Sequence, residues 1–355
     1  METSTLSKID TKKIEDFLGR VITDFGGAMG VTLAYMGDKL GLYKAMAFSG
    51  PLSPAELAER TQTSEPYIRE WLINQAAGGY IEFDSTIGKY ILPDEHAIAL
   101  TDENSPFYVA GGFQVMTAMA KAEERIETNF HTGKGMKWGE HHHDLFQGTE
   151  RFFKPSYIGN LLETWLPAIT GINVRLKEGI SVADVGCGHG TSTLILAEAF
   201  PKSNFIGFDD HAPSIEVAKK AASKKKLNNI SFEVSGSKSF KGSYDFITFF
   251  DCLHDMGDPV GALKNCLKNL SSNGIIMAIE PMAGRNVQGN FNPVGRVYSG
   301  ASVLCCTPNA LATGGYALGT IASDEELSKV ATMAGFNRFR RATETPFNRV
   351  FEIKP

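Results

Sequence analysis

The stretch SVADVGCGHGTSTLILAEAF, residues 181–200, decides the fold. A β-branched run closes on Asp184, glycines follow at 186, 188 and 190, and an amphipathic stretch begins at once. Glycine takes positive φ at no steric cost and lets a ligand approach the main chain. A strand handing over to a helix through such a turn marks where open α/β sheets bind ligands. Asp209 ends the next predicted strand, NFIGFD, after one strand–helix–strand length of chain. A carboxylate there is placed to accept hydrogen bonds from the two hydroxyls of a ribose. Glycine spacing alone leaves dinucleotide enzymes and methyltransferases both open.

Outward from this turn the strand pattern repeats. SVADV (181–185), NFIGFD (204–209), ISFEV (230–234), YDFITFF (244–250) and GIIMAIE (274–280) read as strands with helices between them. Such alternation predicts a parallel sheet covered by helices on both faces. After the helix DEELSKVATMAG, the segments FNRFRRAT and FNRVFEIK read as a closing antiparallel pair, making seven strands in a Rossmann-like α/β domain. Upstream, residues 10–48 read as helical with a glycine-interrupted middle, FGGAMG. Ser53 before Pro54, and Ser64 before Glu65-Pro66, start two short helices. Gly78-Gly79 stops the second, and YIEFD and KYILP flank STIG as a hairpin. This order predicts an N-terminal helical and winged-helix domain at 1–100. A helical linker and substrate cover follows at 101–175. The catalytic domain spans 176–355, with an insertion at 282–320 long enough to cover a site.

The bulk numbers narrow the function classes. The 355 residues carry a net charge of −5 and are 43% hydrophobic, which gives no reason to expect nucleic acid or an anionic membrane as partner. The five cysteines suit a reducing cytosol rather than a disulfide framework. METSTLSKIDTKKIEDFLGR lacks the apolar core of a signal peptide, and no apolar run reaches the roughly 20 residues of a bilayer span. A cytoplasmic protein is the expectation.

ADVGCGHG resembles the first motif of the class I S-adenosylmethionine-dependent methyltransferases, and GFDDH their acidic ribose-binding motif. YDFITFFDCLHDMGDP and GIIMAIEP resemble their fourth and fifth motifs. DCLHDMGDPVGA, NPVGRVY, CTPNAL and FRRATETPFN are similar to a bacterial methyltransferase family with a winged-helix N-terminal domain, some members of which are described as transcriptional regulators. The resemblance implies S-adenosyl-L-methionine as cofactor. Asp184, Gly186 and Gly188, with Cys187 between the glycines, would line its methionine end. Asp209 would hold the ribose, with Asp210 and His211 beside the adenine edge. Ser237 stands where many methyltransferases place Gly-Asp against the adenine amino group. Asp251 and Cys252 would pass under the cofactor.

LHDMGDP resembles the HDWSD-type stretch of small-molecule O-methyltransferases, in which the histidine deprotonates the acceptor hydroxyl. That makes His254 the candidate base, because an unperturbed imidazole titrates near neutrality. Asp255 or Asp258 would orient it. The alternative is a histidine that only packs or caps the next helix. In WGEHHHDLFQGTERFF, the residues His141, His143, Glu150 and Arg151 are candidate acceptor contacts. The family resemblance covers this loop, and members carry cysteines near the positions of Asp144 and Gln147. A metal site is the competing reading of HHHD, but adjacent side chains point apart and no CxxC or HxxxH spacing supports it, so no metal is expected. In the insertion, Asn292, Arg296 and Tyr298 are placed to reach back over the pocket or to tie the lid down.

A DNA-binding role needs a basic recognition helix. Residues 51–100 carry only Arg60, Arg69 and Lys89 against Glu56, Glu59, Glu65, Glu70, Glu82, Asp84, Asp94 and Glu95. That balance repels phosphate. The expectation is therefore a homodimeric enzyme acting on a small-molecule methyl acceptor, its N-terminal domain serving dimerisation and contributing to the partner's site. A cofactor-sensing regulator or a catalytically inactive relative is the alternative.

Overall fold

The computed structural model describes residues 9–355, so the first eight residues of the N-terminal stretch lie outside it. The described chain divides after Thr117 into two compact units. In the first, Asp10 accepts from the amides of Lys12 and Lys13 and starts helix α1 (Thr11–Lys39). This helix runs unbroken through Gly26 and Gly27, where the sequence predicts an interruption. A Cβ at either glycine would meet nothing within 4 Å, so no packing demand bends the chain there. Helix α2 (Leu42–Met46) and helix α3 (Pro54–Thr61) follow, α3 opening on a full capping box between Ser53 and Glu56. Helix α4 (Glu65–Ala77) starts after Ser64, whose side chain makes no capping bond. Strands β1 (Glu82–Asp84) and β2 (Lys89–Ile91) form the antiparallel wing, and Leu52 bridges to Tyr90 at its edge. Helix α5 (Asp94–Thr101) completes a core of Leu42, Tyr43, Leu57, Ile68, Trp71 and Leu72. This is the predicted winged-helix arrangement.

Helix α6 (Ala110–Ala120) runs through the division, and the second unit continues with α7 (Glu123–Thr132), α8 (Asp144–Asn160) and α9 (Ile172–Glu178). The strands β3 (Ser181–Val185), β4 (Asn204–Asp209), β5 (Ile230–Val234), β6 (Tyr244–Phe250), β7 (Leu270–Pro281), β8 (Arg338–Glu344) and β9 (Asn348–Lys354) form one sheet in the order β5-β4-β3-β6-β7-β9-β8. Pairings are parallel except those of β9 with β7 and β8. Helices α10 (Thr191–Ala199), α11 (Ala212–Lys225), α12 (Pro259–Asn269) and α15 (Asp324–Ala334) connect the strands. The insertion contributes α13 (Pro293–Ala301), a π-helical turn (Ser302–Cys306) and α14 (Thr307–Thr313). Strand periodicity sorts the core into two layers. Ile275, Met277 and Ile279 pack with Trp165 and Leu166 on one face, while Ile276 and Ala278 pack with Leu263 and Val330 on the other. Among the described residues, no helix is long and apolar enough to cross a membrane.

The strand order reverses between β3 and β6, so their carboxyl ends flank the crevice where such sheets bind ligands. The glycine turn leaves β3 there. Gly190 holds φ +78°, and a Cβ on it would lie 2.6 Å from the Phe232 ring and 3.0 Å from the Ala218 Cβ. Backbone and core both exclude a side chain. Gly190→Ala is expected to destabilise the domain by about 2–4 kcal/mol from left-handed strain plus overpacking. The check is a lower urea midpoint at unchanged m-value.

Candidate active site

The site is built on two strand ends. After β3, the Gly186 and Cys187 amides donate to the Phe208 carbonyl at 2.8 and 3.0 Å, locking the turn against β4. Asp209 closes the turn from the other side: Oδ2 accepts from the Gly188 amide and Oδ1 from the His211 amide, each at 2.9 Å. Burial raises the Asp209 pKa above the usual carboxylate range, against the pull of these amides. A Cβ at Gly188 would meet nothing within 4 Å, so the turn leaves room on its outer side. Each Asp209 oxygen keeps further acceptor capacity beyond its one amide. The donor set and the room fit a ribose held at its hydroxyls. His211 hydrogen-bonds Ser214 through Nδ1 at 2.8 Å and packs its ring 4.6 Å from Phe146, which in turn lies 5.4 Å from Trp138. The 138–146 segment therefore covers the end of the crevice where an adenine edge is expected. Asp210 is exposed and Ser237 half-buried, its carbonyl accepting from Asn265 at 3.2 Å.

Behind the turn, Asp184 is fully buried and accepts from the hydroxyls of Ser192, Thr193 and Thr248. Burial pushes its carboxyl up to about 6 despite these donors. Three hydroxyls hold its oxygens, so it braces the turn from behind. Cys187 is buried, and Cys252 donates its thiol to the Val185 carbonyl at 3.2 Å. A Cβ on Gly186 would lie 2.7 Å from that sulfur. Glu150, expected at the acceptor, instead reaches from α8 to His189 Nδ1 at 2.8 Å and to the Thr191 hydroxyl at 3.1 Å. Burial would raise its pKa, but the hydrogen bond and charge of His189 hold it below the ordinary range. Glu150 thus staples α8 to the glycine turn.

At the end of β6 a short 3₁₀ turn, Leu253–Asp255, buries His254. Its Nδ1 lies 2.6 Å from Oε2 of Glu280, the penultimate residue of β7, and Oε1 of Glu280 accepts from the Leu253 amide at 3.1 Å. The Cys306 thiol of the π-turn also hydrogen-bonds His254. Burial alone would lower the His254 pKa, but the Glu280 charge and Cys306 outweigh it and raise the imidazole well above its usual value. Asp255 next to it is driven up to about 7, first by burial, with the charges of Glu280, Asp209 and Asp210 adding and that of His254 opposing. Glu280 and Cys306 are not among the sequence-level candidates. The signal for Glu280 lay in GIIMAIE: a carboxylate ending a fully apolar strand is costly unless paired.

Asp251, between β6 and this turn, holds φ +54°. Its Oδ1 accepts from Asn348 Nδ2 at 2.8 Å, while its buried Oδ2 has no hydrogen-bond partner among the described residues. Burial, then the Glu280 charge, pushes its carboxyl well above the usual range.

The insertion is fastened over the 3₁₀ turn. Asn309 donates to the Asp255 carbonyl at 3.1 Å, the Gly257 amide to the Thr313 hydroxyl at 3.2 Å, and the Gly319 amide to the His254 carbonyl at 3.3 Å. Tyr298 donates its hydroxyl to the Phe347 carbonyl at 2.9 Å, and Asn292 caps α13 through the Gly295 amide, so both tie the cover down. Arg296 is exposed and Arg151 half-buried. His143 is 80% exposed and lies 3.3 Å from Asp144, turned to solvent instead of into the crevice. One nitrogen each of His142 and His143 and an oxygen of Asp144 gather within 4.8 Å, and Lys121 Nζ sits 2.9 Å from Asp144 as its countercharge. His141 is buried, and neither ring nitrogen has a partner among the described residues. Burial, outweighing the nearby Glu140, holds its imidazole below the ordinary range.

The chain is similar to known proteins. Residues 176–323 match the family model of a methyltransferase domain, and residues 27–102 that of an Rv2258c-like winged HTH domain. The chain is 28% identical over 121 residues to the mitochondrial ubiquinone biosynthesis O-methyltransferase of Saccharomyces cerevisiae, a match covering 34% of this chain and 39% of that protein. The matched stretches span 37% to 51% of the curated relatives' own length. Among solved structures, an O-methyltransferase family protein from Burkholderia thailandensis superposes with a TM-score of 0.72 at 13% identity, over 95% of this chain and 97% of that one. Human N-acetylserotonin methyltransferase in complex with SAM superposes with a TM-score of 0.69 at 18% identity, over 100% and 99%. At these identities the likeness is one of fold.

Proposed function

Starting from a chain with a methyltransferase domain at 176–323 and a winged-helix domain at 27–102, we propose that it methylates a hydroxyl of a small-molecule acceptor using S-adenosyl-L-methionine, with His254 as general base. The observation that carries the reading is the buried His254–Glu280 pair, 2.6 Å apart, standing beside the crevice between β3 and β6. The cofactor supplies an electrophilic methyl on a sulfonium. Asp209 would hold its ribose, and the open face of Gly188 would admit it. Glu280 accepts from Nδ1 of His254, so Nε2 would take the acceptor proton, the acceptor hydroxyl displacing the Cys306 thiol from the imidazole. Asp255 and the cover over it would keep water from that proton transfer. The test is incubation with methyl-labelled cofactor and a metabolite extract. A labelled small product is expected, and label confined to the cofactor throughout would overturn the reading.

Two further features bear on partners. Arg69, the one basic residue of α4, lies 3.4 Å from Glu65 and 3.8 Å from Glu70, which leaves the helix poorly suited to phosphate. Helix α1 leaves Ile22, Phe25 and Met29 each more than 60% exposed, with Phe17 and Leu18 exposed beside them. An apolar stripe of this length marks an interaction face, and we assign it to a second copy of the chain. Phe25→Glu with Met29→Glu is expected to convert a dimer to a monomer in sedimentation equilibrium. A wild-type monomer at all concentrations would refute the assignment.

A further inference from the structure

We propose that Asp251 is the acceptor-binding acid of this site, recognising a second hydrogen-bond donor, an O–H or N–H, carried next to the hydroxyl that is methylated. The proposal rests on the methyl-transfer reading above and names the class of acceptor. Buried polar atoms are almost always paired, so each exception calls for a cause. Here the exception is one oxygen of a carboxylate whose other oxygen is fixed by Asn348, itself held by the Ser156 hydroxyl at 3.2 Å. The backbone at Asp251 is left-handed, a conformation that aspartate tolerates better than most residues but that still costs energy. Strand end, backbone and anchor together aim a single unpartnered acceptor atom.

The place of its anchor in the sheet separates it from the ribose acid. The ribose acid Asp209 ends β4, on one side of β3. The anchor Asn348 opens β9, beyond β7 on the other side. On this side stands Glu280 of β7, whose charge acts on Asp251 together with that of His254. Only Cys252 and Leu253 separate Asp251 from the base, and the His254 charge reaches Asp251, so an acceptor hydroxyl at His254 would bring its neighbouring substituent to Oδ2. A hydroxyl or amine there pairs Oδ2 and favours the ionised carboxylate over the protonated form that burial and the Glu280 charge promote; a hydrogen leaves it unpaired, and a methyl ether meets it only as the acid and with a methyl to accommodate.

The experiment is calorimetry on the full chain saturated with S-adenosylhomocysteine, using four probes. Catechol and 2-aminophenol carry the adjacent donor; 2-methoxyphenol and phenol lack it. The wild type is expected to bind the first pair at least about tenfold tighter, the scale of one buried donor–acceptor match. Asp251→Asn turns an amide N–H toward the probe and is expected to abolish that preference with affinity for S-adenosylhomocysteine unchanged. Asn348→Ala keeps the acid but frees it to rotate, and is expected to retain the preference at a smaller ratio. Equal binding of all four probes, or binding of none, overturns the proposal. So does a tenfold loss of S-adenosylhomocysteine affinity in Asp251→Asn, which would make Asp251 a cofactor residue. A wild-type protein that binds no S-adenosylhomocysteine removes the methyl-transfer reading itself.

Discussion

His254→Ala is expected to slow methyl transfer by about 10²–10⁴-fold, the usual contribution of a positioned base. Binding of S-adenosylhomocysteine should persist, because the glycine turn and Asp209 do not depend on the imidazole. The loss should also show in the pH profile. The base works only when neutral, and Glu280 raises the His254 pKa well above the ordinary histidine range. Activity should therefore fall as pH drops through a limb lying above about 6.5, the unperturbed value. Glu280→Gln removes the charge that raises it, so the limb should move to lower pH while the maximal rate falls. Breaking a buried pair also destabilises, by roughly 3–5 kcal/mol, so melting curves must accompany the rates. A histidine that only packs the following helix would leave the limb unmoved by Glu280→Gln, and that outcome would remove His254 from the mechanism.

Asp209→Ala is expected to abolish measurable cofactor binding. A hydrogen bond to a charged group contributes about 1.5–3 kcal/mol, so losing two ribose hydroxyls weakens binding by about 10²-fold or more. The variant also releases the Gly188 and His211 amides, which Asp209 holds at 2.9 Å, and so loosens the turn. Asp209→Asn separates the two effects: it keeps the shape but offers one acceptor oxygen where the carboxylate offers two. Calorimetry with S-adenosyl-L-methionine should rank wild type above Asn above Ala. Equal affinities would sink the crevice assignment.

Much of the fold was legible because it rests on short-range rules. The apolar run GIIMAIE, Ser53 before Pro54, and glycines at 186, 188 and 190 act over a few residues, and each element appears where the sequence predicts. The glycine-rich middle of α1 misled for the same reason: propensity suggests a break, but nothing contacts Gly26 or Gly27 to enforce one. The site was legible only in outline. Asp209 and His254 sit at strand ends, where strand periodicity puts them. Glu150 was read as an acceptor contact because its position beside HHHD says nothing about the His189 it meets, 39 residues away.

By itself, then, the order of residues determined the strand ends, the glycine turn and the winged-helix elements, since these follow from backbone conformation and from the spacing of apolar and turn residues. Tertiary structure alone decided that Glu280 meets His254, that Glu150 braces the turn, and that Asn348 holds Asp251. Those partners lie 26, 39 and 97 residues apart. They meet only once β6 has β3 and β7 at its sides and β9 has returned antiparallel, and no local rule encodes which distant side chain will stand at a neighbouring strand end.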